Sequence, residues 1–358
     1  MIFYMRKLFL FCLCAIVGCS TKESTPLIHV GSDQMFSMEA EKVDIAEFCG
    51  SVETVALETS DESIIGVVDD IVAYDDKIVL LWEGKCSVFN KDGSFVANVG
   101  VKGNGPNEYG WFEYVFISSE GNIVLYDSSK NKLFHYDTLG NFILANEIPV
   151  KLSNSRGAFM PEKSSIGFYM PDKGYCSGWK MIQFVGLDGS VGDSIVVSSK
   201  LTKPSNVNWY FKECSFVEYE NGTRVKYTFN DTVYNVVANK EGYSLDPAMV
   251  FDLGKYSAIE NAREKSFQAM MTSARYNPFD YMAKIELLGE SAKYLFFAAN
   301  GSKEFFYDKS MDVIHRYAFV NDKSEEIIPL KIDNSGYIWM IKEQDNDCNP
   351  QVLYCKIR

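Results

Sequence analysis

The chain has 358 residues, enough for two ordinary domains or one large repeat fold. It is 47% hydrophobic and 14% aromatic, which supports a large core and favours strands over helices. With 35 basic against 48 acidic residues the net charge is −13, so the chain repels phosphate backbones and a general nucleic-acid role is excluded.

Residues 1–18 have the layout of a secretory signal: basic Arg6 and Lys7, an apolar run from Leu8 to Val17, then Gly18. The run is too short to span a bilayer as a mature anchor. The ending "IVGC" resembles a bacterial lipoprotein signal, in which the cysteine after a small residue is diacylated and becomes the new N-terminus. Cys19 is therefore expected to carry lipid and to hold the protein to a membrane. Residues 19–50 read as a lipid-anchored tether followed by a lead-in segment, and residues 51–358 as the folded body.

From Ser51 onward, short apolar runs alternate with turn residues. "VFNKDGSFV", "HYDTLGNFI", "FVGLDGSVG" and "VVANKEGYSL" place turn glycines at Gly93, Gly140, Gly189 and Gly242, spaced 47, 49 and 53 residues apart. Glycine shortly after Asp or Asn, between two β-type runs, marks a tight hairpin, because glycine adopts the positive φ that such turns need. A period of this length with several strands per unit is the signature of a β-propeller. One unit reads "IVAYDD", "KIVLLWEG", "CSVFNKDG" and "SFVANVG", four strands per blade. Counting turns predicts an all-β, six-bladed propeller.

Three features depart from the plain repeat. "GVKGNGPNEYG", Gly100–Gly110, is glycine-rich, yet position 108 is Glu, no helix is predicted after it, and no Gly-Lys-Ser/Thr is present. It reads as a crossover between blades, not a phosphate loop. Residues 255–290 break the rhythm, and Ser257–Ala274 has helical composition, so a short helical insertion between blades is expected. The last unit, "GYIWMIKEQDNDCNPQVLYCKIR", lacks an outermost strand. "SVETVALE", Ser51–Glu58, is expected to supply it and close the ring.

With its lipoprotein start, "VALETSDESIIGVVDDIVAYDDKIVLLW", "GVKGNGPNEYG", "FNDTVYNV" and "MVFDLGKY", the chain resembles the six-bladed β-propeller lipoproteins of Gram-negative gut anaerobes, which are distantly akin to NHL-repeat propellers. Asn107 departs from the glycine common in that family's loop. The resemblance implies a propeller at the cell envelope, anchored to the outer membrane on its periplasmic side or at the cell surface. It implies no particular activity, since a propeller does not dictate function.

Catalytic patterns are sparse. His29, His135 and His315 form no HxxxH or HxH pair, and there is no G-x-S-x-G elbow. "EQDNDCNP" spaces Asp345, Asp347 and Asn349 at alternate positions, a weak calcium-like pattern that reads more simply as a polar hairpin turn. "FNDTVYNV" reads as a turn followed by packed Val233 and Tyr234. Cys49, Cys86, Cys176, Cys214, Cys348 and Cys355 show no CxxC pair and are expected mostly as buried apolar residues, with Cys348 and Cys355 able to face each other across one hairpin. No metal or cofactor is expected. The candidate ligand-binding residues are Glu108, Tyr109 and Trp111, with Arg156 and Trp209 in comparable blade-opening positions, because aromatics beside a carboxylate suit a sugar or a peptide. The expected role is a binding or scaffold protein for a glycan, peptide or envelope partner protein. Alternatives are an envelope lyase or hydrolase using carboxylates around the channel, and a structural subunit of an outer-membrane complex.

Overall fold

The runs between turn residues fold as antiparallel hairpins, and the hairpins group in fours. The computed structural model describes residues 27–28, 32–152, 155, 157–161, 164–170, 180–196, 214–219, 222–228, 230–240, 242–257, 282–321, 323–344 and 348–358. Cys19, His29, Arg156, Cys176, Trp209, Asp345 and Asp347 lie outside the described residues, as does most of the expected helical insertion.

The first described elements are β1 (Leu27–Ile28), α1 (Ser32–Ser37), β2 (Glu41–Asp44), α2 (Ile45–Cys49) and β3 (Val52–Ala56). Blade 1 is β4 (Val68–Tyr74), β5 (Lys77–Trp82), β6 (Lys85–Asn90) and β7 (Phe95–Asn98). Blade 2 is β8 (Phe112–Ile117), β9 (Ile123–Asp127), β10 (Lys132–Tyr136) and β11 (Phe142–Glu147). Blade 3 is β12 (Ala158–Phe159), β13 (Ser165–Tyr169), β14 (Lys180–Gly186) and β15 (Val191–Val196). Blade 4 is β16 (Cys214–Tyr219), β17 (Gly222–Tyr227), β18 (Thr232–Asn239) and β19 (Gly242–Phe251). Blade 5 is β20 (Ile285–Glu290), β21 (Tyr294–Ala299), β22 (Ser302–Asp308) and β23 (Val313–Val320). Blade 6 is β24 (Pro329–Ile332), β25 (Tyr337–Lys342) and β26 (Gln351–Lys356), completed by β3.

The fold is thus an all-β, six-bladed propeller, as the turn spacing predicts. Closure is also as predicted: β3 pairs antiparallel with β26, from Gln351↔Ala56 to Cys355↔Val52. The first strand of each blade is the inner one, and consecutive first strands touch, β4 with β8, β16 with β20, β20 with β24 and β24 with β4.

The core is divided among the blade interfaces. Among the described residues six apolar clusters form, one between each pair of neighbouring blades. Each sheet therefore buries both faces, which is why its middle strands read as unbroken apolar runs. All five residues of β9 are buried, and five of the six in β5.

The lead-in segment packs on the propeller. β1 adds parallel to β19 and β2 parallel to β23, covering the outer edges of blades 4 and 5. α2 starts at Asp44, whose carboxylate accepts from Ala46 N at 2.8 Å. It buries Ile45 and Cys49 between blades 5 and 6, and the Phe48 ring lies 5.0 Å from Tyr294 and 5.3 Å from Phe319.

The break expected over residues 255–290 falls between blades 4 and 5. Its two ends meet where Ala283 N donates to Tyr256 O at 2.9 Å, and its last six residues, Ile285–Glu290, are already β20. A register shift between Leu287 and Gly289 interrupts the alternation there and hides the strand from a reading by period. Cys348 and Cys355 do not face each other. Cys348 is exposed ahead of β26, whereas Cys355 is buried opposite Ile338.

Candidate functional site

The connections between blades, and the turns between each blade's second and third strands, gather on one face of the ring. The 98–112 stretch belongs to this face, and its glycines surround a carboxylate. Gly105 N donates to Glu108 Oε2 at 2.7 Å, and Gly103 approaches so closely that a Cβ there would lie 2.1 Å from the same oxygen. Lys130 Nζ donates to Gly105 O at 3.0 Å and to Glu108 O. The far end of the loop is held by buried Asp127, which accepts from Gly110 N at 2.6 Å, from Ser129 N and Oγ, and from Lys130 N. Tyr109 is buried between blades 1 and 2, stacked on Phe112 with centroids 4.0 Å apart. Glu108 and Tyr109 thus shape the loop.

Trp111 faces outward. Its side chain is 44% exposed and its ring lies on Gly84, where a Cβ would be 2.3 Å from the indole. The Lys102 ammonium sits 5.4 Å from the ring centroid. Further apolar side chains are exposed on these connections: Ile64 and Val67 leading into blade 1, Val101 leading into blade 2, and Ile328 leading into blade 6.

Carboxylates border this apolar set. Asp69 Oδ2 accepts from Glu83 N at 2.8 Å. Burial raises the Asp69 pKa above the ordinary aspartate value; the charges of Glu83 and Asp70 add to this, and the Glu83 N–H opposes it. Asp70 is paired instead with Lys331 Nζ at 3.0 Å, joining the inner strands of blades 1 and 6. Burial pulls the Lys331 pKa down, yet Asp70 outweighs it, with Glu218 and Asp333 adding, and the net direction is up. Glu218 belongs to blade 4, which is not a neighbour of blade 6, so this charge acts across the channel.

A family model described as a domain of unknown function, DUF4934, matches residues 28–347. The chain belongs to the DUF4934 family. Among solved structures, this DUF4934 chain is similar to a protein of Bacteroides fragilis assigned as exported, with 16% identity, a TM-score of 0.63, and coverage of 89% of this chain and 98% of that one. A member of the DUF4221 family from Bacteroides vulgatus matches with 12% identity and a TM-score of 0.52, covering 87% of this chain and 97% of that one. Virginiamycin B lyase from Staphylococcus aureus matches more loosely, with 13% identity and a TM-score of 0.43, covering 86% of this chain and 99% of that one. These likenesses are of fold. No curated protein matches the chain.

Of the residues singled out by sequence in the DUF4934 chain, Glu108 and Tyr109 are turned into the loop and the blade interface, Trp111 alone faces outward, and Arg156 and Trp209 lie outside the described residues. His135 Nε2 is 2.9 Å from Leu187 O, linking blades 2 and 3, and the His315 ring is stacked 5.0 Å from Phe306. Val233 and Tyr234 are buried as expected, and the turn before them is made by Asn230, which accepts from Thr232 N at 2.6 Å. Among the described residues, no three His, Cys, Asp or Glu side chains gather to hold a metal.

Sequence reasoning missed Asp69, Asp70, Lys331 and Asp127, and it missed the use made of Asn349. Asn349 Oδ1 accepts from Ile65 N at 2.9 Å, and its Nδ2 donates to Glu58 O and Ser63 O, each at 2.7 Å. The available signal for Asp127 was "YDSS", an Asp followed by serines at a strand end, which is an Asx-turn pattern.

Proposed function

We propose that this chain is a binding propeller of the cell envelope, lipid-anchored through Cys19 to the outer membrane, whose blade-connecting face takes an extended polypeptide carrying apolar and basic side chains. The observation that carries the binding reading is the exposed apolar set Ile64, Val67, Val101, Trp111 and Ile328, gathered on one face from three connections. Trp111 is pinned flat on Gly84, so little side-chain freedom is lost on binding. Aliphatic side chains outnumber the aromatic one, which favours a polypeptide over a sugar. The bordering carboxylates Asp69 and Glu83 lack a lysine or arginine partner within ion-pair distance among the described residues, and a basic ligand would supply the missing charge. Arg156 and Trp209 stand, by sequence, in the connections into blades 3 and 4 and are proposed as further contacts. Export is supported by the signal-like residues 1–18 and by the exported assignment of the Bacteroides fragilis neighbour.

The test is binding of the purified mature chain to peptide and glycan arrays, followed by titration of the best ligand. Apolar-basic peptides are expected to bind, with affinity falling about tenfold or more in Trp111→Ala and in Asp69→Asn, and weakening with salt. Binding of glycans alone would replace the polypeptide reading. Peptide binding unaffected by either substitution would move the site elsewhere.

A further inference from the structure

Two cysteines far apart in sequence meet where the ring closes. Cys49 ends α2, the helix of the lead-in segment, and Cys355 lies near the end of β26, the last strand of the chain. Both belong to the apolar cluster between blades 5 and 6, and α2 packs directly on β26. Cys49 is close enough to Cys355 to be the largest influence raising its thiol pKa, ahead of burial. The backbone brings them together from both sides. Cys355 is the register partner of Val52, only three residues after Cys49, and Gly50 turns the chain between them at φ 100. Arg358 packs on that turn, where a Cβ on Gly50 would be 3.0 Å from its Nε. Of the other described cysteines, Cys86 lies between blades 1 and 2, Cys214 between blades 3 and 4, and Cys348 is exposed.

We propose that Cys49 and Cys355 are joined by a disulfide in the mature exported protein, a covalent clasp across the closure of the propeller. The hydrogen bonds of β3 with β26 close the ring without a covalent bond; the disulfide makes it a loop spanning almost the whole chain. A cross-link over so long a loop removes much of the freedom of the unfolded chain.

The oxidant is a disulfide donor of the envelope, a protein or small-molecule disulfide. One cysteine thiolate attacks a donor sulfur, forming a mixed disulfide and releasing one donor thiol. The second cysteine thiolate then displaces the other donor sulfur, so the protein gains its S–S bond while the donor takes up two electrons and two protons. Cys49 is 6% exposed and Cys355 1%, so a donor does not reach them in the docked state. The contact with Cys49 and burial both raise the Cys355 pKa, which disfavours its reactive thiolate there. The exchange therefore belongs to folding, before α2 seats against β26. A short helix held by Ile45, Phe48 and Cys49 is suited to seating last.

The pairing stands on the geometry; where the bond forms rests on the envelope location proposed above. The experiment separates the two. The mature chain with Cys19→Ser is refolded with oxidised glutathione, then alkylated and mapped. The expected result is a mass lower by two hydrogens, a peptide linking Cys49 to Cys355, and an unfolding temperature roughly 5 °C above that of the reduced chain. The temperature difference should vanish in Cys49→Ser and in Cys355→Ser, with Cys49→Ala and Cys355→Ala as smaller-cost replacements should the serine variants not fold. Two alkylatable thiols at positions 49 and 355 after oxidative refolding overturn the pairing, as does a link mapped to another cysteine. The native protein is then quenched with alkylating agent directly from cells. A Cys49–Cys355 link there supports the whole proposal. A link formed in vitro but two free thiols in cells overturns the exported setting and leaves the geometric pairing standing.

Discussion

The carbonyl oxygen of Ala56 occupies the place where a side chain on Gly93 would begin: a Cβ on Gly93 would lie 2.0 Å from it. Gly93 sits in the outer turn of blade 1, and Ala56 ends β3, the outer strand of blade 6. Glu58 N donates to Gly93 O at 2.8 Å across the same contact. The arrangement recurs around the ring. A Cβ on Gly140 would lie 2.8 Å from Ala97, one on Gly189 2.5 Å from Glu147 O, and one on Gly242 2.4 Å from Asp193, each on the outer strand of the preceding blade. The turn glycines that set the sequence period are thus also seats for the neighbouring blade, and β3 occupies its seat like any other outer strand.

Gly93→Ala should therefore weaken closure as well as strain the turn. The left-handed φ of 92° and the backbone clash together should cost about 3 kcal/mol or more. Gly336→Ala is the comparison, since its φ is 77° but nothing lies within 4 Å of its Cβ position. It should lose only about 1 kcal/mol. Thermal unfolding of the two variants checks this, and equal losses would deny the seat any role in closure.

Asn349 should be among the most sensitive polar positions. Its side chain is buried and joins the blade 6 turn to the connection entering blade 1 through Ile65 N, Glu58 O and Ser63 O. Asn349→Ala should lose about 3 kcal/mol by stranding these backbone groups. Asn349→Asp keeps the acceptor for Ile65 N but turns an oxygen on two carbonyls. Its deficit should shrink on acidification, when the protonated acid can donate. Urea unfolding at two pH values measures both effects.

At Glu108, the acceptor matters more than the charge. Glu108→Gln can still accept from Gly105 N and should be nearly neutral, while Glu108→Ala should lose about 1–2 kcal/mol. If glutamine proves as damaging as alanine, the carboxylate charge is required and the loop-shaping account is wrong.

Lys226 supplies a pH test. Burial lowers its pKa to about 8, with Asp231 and Cys214 opposing, and its ammonium donates to Tyr227 O at 2.8 Å and to Asn230 O. The folded pKa lies below the unfolded value, so between them the unfolded chain binds more protons and stability rises with pH. The stability of the wild type minus that of Lys226→Met should increase from about pH 8 to about pH 10.5, by on the order of 3 kcal/mol. A difference that stays flat over this window would mean that Lys226 is not charged differently in the two states.

What the sequence determined by itself is the repeat: four runs per unit, glycine turns at Gly93, Gly140, Gly189 and Gly242, and a missing last strand that "SVETVALE" could fill. These are local matters, since turn chemistry and the apolar character of doubly buried strands act over a few residues. The glycine-rich loop was legible as a crossover between blades for the same reason. Only the tertiary structure decided which polar groups meet. Asn349 reaches Ile65 across 284 positions, Lys331 reaches Asp70 across 261, and Cys49 and Cys355 enter one buried cluster from opposite ends of the fold. No short-range pattern announces such pairs, because ring closure, not chain proximity, brings them together. Trp111 shows the same division. Its place before β8 was readable, but its exposure was decided by Gly84 of the preceding blade, whose bare backbone lets the ring lie flat and face outward.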